Sequence, residues 1–330
     1  MAELEFRTAI RDALAEELER DERVVFFGED VAAAGGVFAT TPGLVERFGP
    51  ERVFDTPISE LALAGAAFGS AVCGLRPVIE IMFGDFLPLV MDSLVNQASK
   101  YFYLSNEQAS VPLVVRSAVG AGGRFGAIHS QSPVTWFQAV PGLKLVAPAT
   151  PLDAKELLKA AVRDDNPVLF LEHKRLYSLK EEAGGQRPEA RGLGSALVRR
   201  DGSDVTLVSV MKGVHDCLGA AELLASDGIS AEVIDLRTLR PMDREAIAES
   251  LSKTNRLAAI EEGPRAGGWA GEVLALAAEE SLHDVDDVWR ITTPEHPIPY
   301  SPTLEDAFLP GAELIAASVR SRLGVASSSS

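Results

Sequence analysis

The chain has 330 residues, of which 46% are hydrophobic and 24% charged, and its formal net charge is −17 at pH 7. This much apolar material supports packed cores and excludes wholesale disorder. The length suggests about two domains. The negative charge repels phosphate backbones and anionic lipid surfaces, so it disfavours nucleic acids and membranes as partners.

Cysteine and histidine usage disfavours disulfide and zinc sites. The two cysteines, Cys73 and Cys217, stand in unrelated apolar contexts and cannot build a disulfide framework or a thiolate cluster. The five histidines show no ligand spacing such as H-E-x-x-H. The first residues do not resemble a targeting signal, and no apolar run reaches the length of a membrane span. We therefore expect a cytoplasmic protein.

In the first half of the chain, short apolar runs alternate with longer helix-like stretches. The predicted strands are 24–27, 77–83, 111–117, 143–147 and 168–172. The predicted helices are 60–74, 88–104 and 153–163. Continuous apolar strands that alternate with helices are typical of a parallel sheet covered on both faces.

Residues 179–194 interrupt this pattern with glycine, proline and charge, and predict a linker. A second alternating block follows. Its predicted strands are 205–210, 231–236, 257–260 and 288–291, and its predicted helices are 214–225, 244–252, 269–281 and a last one after Pro302. We therefore predict an α/β fold of two domains, 1–185 and a smaller 195–325, with a linker at 186–194 and a flexible tail at 326–330.

Familiar nucleotide-binding and hydrolase motifs are missing. The glycine-rich stretch 120–126 follows a predicted strand, but Phe125 occupies the third glycine position of the dinucleotide motif and no helix pattern follows. This disfavours an NAD-binding oxidoreductase and favours a mobile loop. The chain contains neither G-x-x-x-x-G-K-[ST] nor G-x-S-x-G.

Glu60 is the only carboxylate in a predicted helix so apolar that we expect it to be buried on nearly every face. Ser59, just before it, is a plausible N-cap. A structural interpretation makes Glu60 a first-turn acid that interacts with the helix dipole. A functional interpretation makes it a carboxyl in a dry cleft, where desolvation favours the protonated form. The pattern leaves both interpretations open.

Four other residues also allow more than one interpretation. His129, beside the glycine-rich loop, is either a general acid or base at a cleft or a histidine bonded to a neighbouring serine. Glu80, inside a predicted central strand, needs a partner, and we expect a structural ion pair with an arginine. Asp164 and Asn166 favour a turn, with a hard cation as the alternative.

Several motifs recur together at characteristic spacing. They are Gly28-Glu29-Asp30-Val31, D-T-P-I-S-E at 55–60, H-S-Q-S at 129–132, P-G-L-K at 141–144 and V-I-D-L-R-T at 233–238. From about Phe6 to Leu323, the chain resembles the beta subunit of the thiamine diphosphate-dependent component of 2-oxo acid dehydrogenase complexes. That family includes pyruvate, branched-chain 2-oxo acid and acetoin dehydrogenases. The resemblance implies a transketolase-like pyrimidine-binding domain followed by a transketolase C-terminal domain.

The resemblance also implies a heterotetramer of two alpha and two beta chains. Enzymes that use thiamine diphosphate carry a G-D-G…N signature for magnesium and diphosphate, and this chain lacks it. Its nearest string, 201–204, has no preceding glycine. We therefore expect Mg²⁺ and the diphosphate half of the cofactor site on the alpha chain.

Site residues follow from the resemblance by position. Glu60 matches the family glutamate that hydrogen-bonds N1′ of the cofactor's aminopyrimidine, and Phe86 matches an aromatic side chain near that ring. His129 matches the histidine that assists acyl transfer to the lipoyl arm. Some members bind a structural potassium ion at positions that correspond to Leu113, Ala161, Val162, Asp164 and Asn166.

The activity implied is oxidative decarboxylation of a 2-oxo acid, with reductive acylation of lipoyl groups on a dihydrolipoyl acyltransferase core. The chain would be active only with an alpha subunit, and its acidic second domain would face a basic segment of that core. The substrate, pyruvate or a branched-chain 2-oxo acid, is left open. The alternatives are an acetoin dehydrogenase beta subunit and a non-catalytic interaction subunit, which the intact Glu60 and His129 disfavour.

Overall fold

The computed structural model describes residues 3–182 and 192–325. Most of the predicted linker, 186–191, and the predicted tail, 326–330, lie outside the described residues. The domain limits 1–185 and 195–325 therefore stay predictions. Among the helices described, none combines the length and apolarity needed to cross a membrane.

The first domain is built on a parallel sheet, as predicted. Its strands are β1 (Glu3–Glu5), β2 (Val24–Gly28), β3 (Val53–Asp55), β4 (Arg76–Ile81), β5 (Val114–Val119), β6 (Lys144–Val146), β7 (Val168–His173) and β8 (Lys180–Glu182). Strands β2 to β7 pair in parallel in the order β6-β7-β5-β4-β2-β3, while β1 and β8 form a separate antiparallel pair. Strands β2, β4, β5 and β7 are buried along their whole length because apolar residues occupy both of their faces.

Helices connect these strands. They are α1 (Phe6–Arg20), α2 (Leu44–Phe48), α3 (Glu60–Val72), α4 (Ser99–Leu104), α5 (Val134–Gln138) and α6 (Pro151–Arg163). The sequence pattern does not predict α1, which packs against α6. The predicted helix 88–104 is wrong as a single helix, because a 3₁₀ segment (Gly84–Val90) and a π-helical segment (Asp92–Ala98) precede α4. Pro88 lies inside the 3₁₀ segment and lacks the N–H that a regular α-helical turn requires.

The second domain has a five-stranded sheet of its own. Its strands are β9 (Leu197–Arg200), β10 (Val205–Ser209), β11 (Ala231–Asp235), β13 (Arg256–Pro264) and β14 (Asp287–Thr293), in the order β14-β13-β10-β11-β9. Its helices are α7 (Lys212–Ala225), α8 (Arg244–Thr254), α9 (Ala270–Glu280), α10 (Pro302–Phe308) and α11 (Ala312–Leu323). All pairs are parallel except that of β9 with β11.

The two domains are joined by a shared strand and a shared core. Strand β12 (Thr238–Arg240) comes from the second half of the chain but pairs antiparallel with β6 of the first sheet. Apolar side chains of both halves, such as Leu145 and Leu239, belong to one buried cluster. A buried ion pair links Arg237 to Asp153 at 3.0 Å. The two domains therefore do not pack as independent units.

Helix α3 is not buried all round, so that expectation is wrong for the single chain. Leu61 is 57% exposed, and Ala62, Ala66 and Gly69 lie on the same open face. The opposite face packs on β4 and on the segment Gly84–Val90. One chain supplies only one layer over this helix, and an apolar face of this kind is typical of a surface that a partner covers.

An arginine ties the central strands together, and it confirms the ion pair predicted for Glu80. Arg116 on β5 is 1% exposed and contacts Glu80 on β4 at 2.9 Å and Glu172 on β7 at 2.7 Å. The hydroxyl of Tyr177 donates to the same Glu172 at 3.0 Å. Burial raises the pKa of Glu80, although Arg116 opposes the rise.

We predict that Arg116→Met lowers the free energy of unfolding by about 3–5 kcal/mol at pH 8, because it leaves two buried carboxylates without their cation. The loss should shrink toward pH 5, because burial raises the pKa of Glu80 and helps it to bind a proton there. Urea unfolding measures both effects. Arg23→Met removes a surface arginine paired with Asp21 and is the control, with an expected loss of at most about 1 kcal/mol. Equal losses in the two variants would contradict the prediction.

Candidate active site

Three of the predicted site residues follow the carboxyl ends of parallel strands of the first sheet. Glu60 begins α3 after β3, Phe86 lies in the 3₁₀ segment after β4, and His129 lies in the loop after β5. Strands that run in parallel end at one edge of the sheet, where α/β proteins commonly bind ligands. The helix of Glu60 also packs on the segment that carries Phe86. The sheet therefore gathers these residues from three parts of the sequence.

The Glu60 side chain is held in a confined position. It is 9% exposed, although its neighbours Ile58 and Leu61 are 84% and 57% exposed. Ser59 occupies the N-cap position as predicted, although its side chain makes no capping hydrogen bond. The first-turn position also fits the interaction with the helix dipole, and the burial agrees with the functional interpretation.

A second glutamate, which sequence reasoning did not identify as a site residue, faces Glu60. Glu29 follows β2 and accepts a hydrogen bond from the Ser59 N–H. Burial and the nearby carboxylate of Glu60 raise the pKa of Glu29. The Oε1 of Glu29 and the Oγ1 of Thr56 are buried without a partner in the described residues. The sequence feature that could have identified Glu29 is its place as an acidic residue directly after a buried strand.

Aromatic rings surround His129. Its ring lies 4.7 Å from the Phe83 ring and 5.5 Å from the Phe86 ring, both in edge-to-face geometry. The neighbouring serines do not bind it, because the Ser132 hydroxyl contacts Glu262 and the Ser130 hydroxyl has no partner within the described chain. The alternative of a locally bonded histidine is therefore wrong. Within the described residues no hydrogen bond reaches the imidazole, which lies beside two aromatic side chains.

A buried lysine supports the loop of His129. The Lys174 ammonium, which follows β7, donates to the backbone carbonyl of His129 at 2.7 Å and lies 5.3 Å from the centre of the Phe83 ring. Burial lowers the pKa of Lys174 to about 8, although nearby carboxylates, Asp85 first among them, oppose the shift. Sequence reasoning missed Lys174, and the available signal was again a charged residue directly after a buried strand.

The residues predicted to bind potassium come together at the opposite, amino-terminal edge of the sheet. They are Leu113, Ala161, Val162, Asp164 and Asn166. The Arg76 guanidinium donates to the carbonyl oxygens of Val162 and Asp164 at 2.8 and 2.7 Å. The Asp164 carboxylate accepts from the Asn166 N–H at 2.9 Å and pairs with Lys144, which confirms the turn interpretation. Arg76 and Lys144 of the chain itself thus contact oxygens of Val162 and Asp164. The potassium ion stays a prediction.

No cluster of three or more acidic, histidine or cysteine side chains that could hold a metal ion occurs in residues 3–182 and 192–325. The edge of the sheet with Glu60, Phe86 and His129 offers buried carboxylates and aromatic rings instead. Such a set suits an organic ligand with a polar edge and a flat ring better than a metal ion.

Comparison with known proteins agrees with this architecture. Residues 2–180 match the transketolase pyrimidine-binding domain and residues 194–315 match the transketolase C-terminal domain. The 2-oxoisovalerate dehydrogenase subunit beta of Bacillus subtilis is 44% identical over 97% of this chain and 98% of its own length. The mitochondrial pyruvate dehydrogenase E1 component subunit beta of Dictyostelium discoideum is 43% identical over 92% of this chain and 87% of its own length. The chain belongs to the beta-subunit family of 2-oxo acid dehydrogenases.

One further similar sequence and one solved structure also match this beta subunit. The acetoin:2,6-dichlorophenolindophenol oxidoreductase subunit beta of Bacillus subtilis is 44% identical over 96% of both chains. A solved structure described as a split gene transketolase, inactive beta4 tetramer, superposes with a TM-score of 0.81 at 24% identity. It covers 98% of this chain and 99% of its own. This last similarity shows the two-domain fold.

We predict that Lys174 makes the stability of the beta subunit depend on pH above 7. Its pKa is about 8 in the folded chain, below its ordinary value, so the unfolded chain holds this proton to higher pH and alkali favours the folded state. Lys174→Met lacks this titration. The unfolding free energy of the variant minus that of wild type should therefore fall by about 2 kcal/mol between pH 7 and 10.

Urea unfolding at several pH values measures this difference. Lys180→Met, which changes a lysine with a 56% exposed side chain, is the control and should follow the wild-type profile. A Lys174→Met profile parallel to wild type would show that the buried ammonium does not titrate in this range.

Proposed function

We propose that this chain is the beta subunit of a thiamine diphosphate-dependent 2-oxo acid dehydrogenase. It would take part in oxidative decarboxylation of a 2-oxo acid and in reductive acylation of a lipoyl group. The observation that carries the proposal is the buried Glu60, placed after β3 at the edge of the sheet that also bears Phe86 and His129. Membership of a family of dehydrogenase beta subunits supports it independently.

The residues at this edge fit the aminopyrimidine ring of the cofactor. Glu60 offers a buried carboxyl for a ring nitrogen, and the unpartnered oxygens of Glu29 and Thr56 offer further polar contacts nearby. Phe83 and Phe86 provide aromatic surface. When bound, thiamine diphosphate supplies a nucleophilic carbon and an electron sink for decarboxylation.

Glu60 would hold a proton at the N1′ position of that ring. A second carboxyl that favours the protonated form lies at the same edge, because burial and the nearby Glu60 carboxylate raise the pKa of Glu29. His129 would act as an acid or base for acyl transfer to the lipoyl arm. Its position in a loop allows access from outside, while Phe83 and Phe86 limit the orientations of its ring.

The site would be completed by an alpha subunit in an α₂β₂ heterotetramer. The chain lacks the G-D-G…N signature, so we assign Mg²⁺ and the diphosphate to the alpha chain. The exposed apolar side chains Ile58 and Leu61, on either side of Glu60, support a subunit contact over this edge. A dihydrolipoyl acyltransferase core with its lipoyl domain would be the further partner, approached by the acidic second domain. The structural potassium ion belongs to the same proposal.

The acyl substrate is pyruvate or a branched-chain 2-oxo acid. Acetoin is a second candidate, because an acetoin oxidoreductase beta subunit and a 2-oxoisovalerate dehydrogenase beta subunit are each 44% identical to this chain. Turnover of the reconstituted heterotetramer on pyruvate, 3-methyl-2-oxobutanoate and acetoin separates these possibilities. A non-catalytic interaction subunit would give no turnover with any of them.

We predict that Glu60→Gln in the reconstituted heterotetramer lowers kcat about 100-fold or more, because the amide cannot exchange a proton with the cofactor ring. Steady-state decarboxylation with 2,6-dichlorophenolindophenol as acceptor measures the effect. Glu46→Gln is the control, since Glu46 is also a first-turn acid but lies exposed on α2. Unchanged turnover in Glu60→Gln would remove Glu60 from the mechanism.

We also predict that the isolated beta chain binds thiamine diphosphate weakly and that an alpha partner restores tight binding, because the beta chain holds only the ring side of the cofactor. Calorimetric titration of each preparation with cofactor and Mg²⁺ measures this difference. Tight binding by the beta chain without its partner would refute the shared site.

A further inference from the structure

The loop that carries His129 is held by the second domain. We call residues 120–132 the His129 loop. Glu305 on α10 is fully buried, and its Oε1 accepts from the Gly122 N–H at 2.9 Å. Its Oε2 accepts from the Arg124 N–H at 3.2 Å and from the Arg124 guanidinium at 2.7 Å. One carboxylate therefore fixes both the backbone and a side chain of this loop.

A second carboxylate of the same domain holds both ends of the His129 loop. Glu262, on β13, accepts from the Ala121 N–H at 2.6 Å and from the Ser132 hydroxyl at 3.4 Å. Its other oxygen lies 2.9 Å from Nε2 of the buried His173. The loop is thus anchored at its start and its end by groups that lie more than 120 residues away in the sequence.

The backbone of the His129 loop does not favour this conformation by itself. Arg124 has a φ of +64°, a left-handed conformation that costs a non-glycine residue about 1 kcal/mol. Gly120, Gly122 and Gly126 also have positive φ, and at Gly122 a Cβ would meet the Arg175 side chain at 2.3 Å. Glycines leave many conformations open to a free loop. The contacts with Glu305 and Glu262, together with those of Lys174 and Asp85 from the first domain, select this one.

We propose that Glu305 is a positioning residue, which acts on lipoyl acylation by holding the His129 loop. The inference rests on the proposed function, in which His129 serves acyl transfer. Glu60 sits on α3, and within the described residues no hydrogen bond or ion pair joins Glu305 to that helix, so decarboxylation should depend on Glu305 much less. The second domain thereby takes part in catalysis through this loop as well as in assembly.

The test is Glu305→Gln in the reconstituted heterotetramer. The substituted amide can still accept from Gly122, but its NH₂ group faces the donors of Arg124, so the loop contact is weakened. We expect kcat for acylation of a lipoyl domain to fall about 10-fold or more, and decarboxylation with 2,6-dichlorophenolindophenol to stay within about 2-fold.

Asp306→Asn is the matched control. Asp306 contacts the same Arg124 guanidinium at 2.8 Å, but its side chain is 59% exposed and holds no backbone N–H of the loop. Its substitution should change either activity by less than about 2-fold. Equal loss of both activities in Glu305→Gln, or no loss of either, would overturn the proposal.

Hydrogen exchange of the peptide 120–132, measured by mass spectrometry, tests the contact without any activity. We expect the exchange to quicken in Glu305→Gln and to stay at the wild-type rate in Asp306→Asn. Unchanged exchange in Glu305→Gln would overturn the proposal. Absence of turnover in the wild-type heterotetramer, together with quickened exchange in the variant, would instead place the failure in the proposed function.

Discussion

The candidate site depends on the parallel pairing of β2, β3, β4 and β5. In this register Gly28 lies beside both Asp55 and Glu80, so the chain leaves all these strands at one edge of the sheet. Glu29, Glu60, Phe86 and His129 then follow from four connections that are far apart in sequence. Because β2, β4 and β5 are buried along their whole length, a shift of register would disrupt the packing of their side chains and separate Arg116 from Glu80. Core packing therefore fixes the geometry of the site.

The buried charged residues of this fold include both ion pairs and neighbouring residues of like charge. Arg116 neutralises Glu80 and Glu172 and joins β4, β5 and β7. Glu29 and Glu60 are like charges for which the described residues give no ion pair, and they lie at the edge of the sheet that carries the candidate site. The ion pairs of Arg116 join the central strands, whereas the carboxyls of Glu29 and Glu60 would face the cofactor ring in the proposed function.

Much of this organisation follows from local sequence. The alternation of apolar strands and helices predicts both sheets, and the lone acid of α3 marks Glu60 as unusual. Other features depend on residues that meet only in the folded chain. Lys174 lies beside His129 because β7 pairs with β5, and Glu305 reaches Gly122 across 183 residues. Nothing in the spacing of a single segment indicates such contacts.

The sequence by itself predicted the α/β class and most of the alternation of strands and helices, because periodicity is a local property. Local context also marked Glu60 and His129 as candidates, and the family resemblance added Phe86. The tertiary structure decided which face of α3 stays open, which carboxylate lies beside Glu60 and what holds the His129 loop. It also decided that β12 joins the first sheet rather than the second. These outcomes depend on packing between segments that are far apart in the sequence. Such packing contributes to the free energy only once the chain has folded.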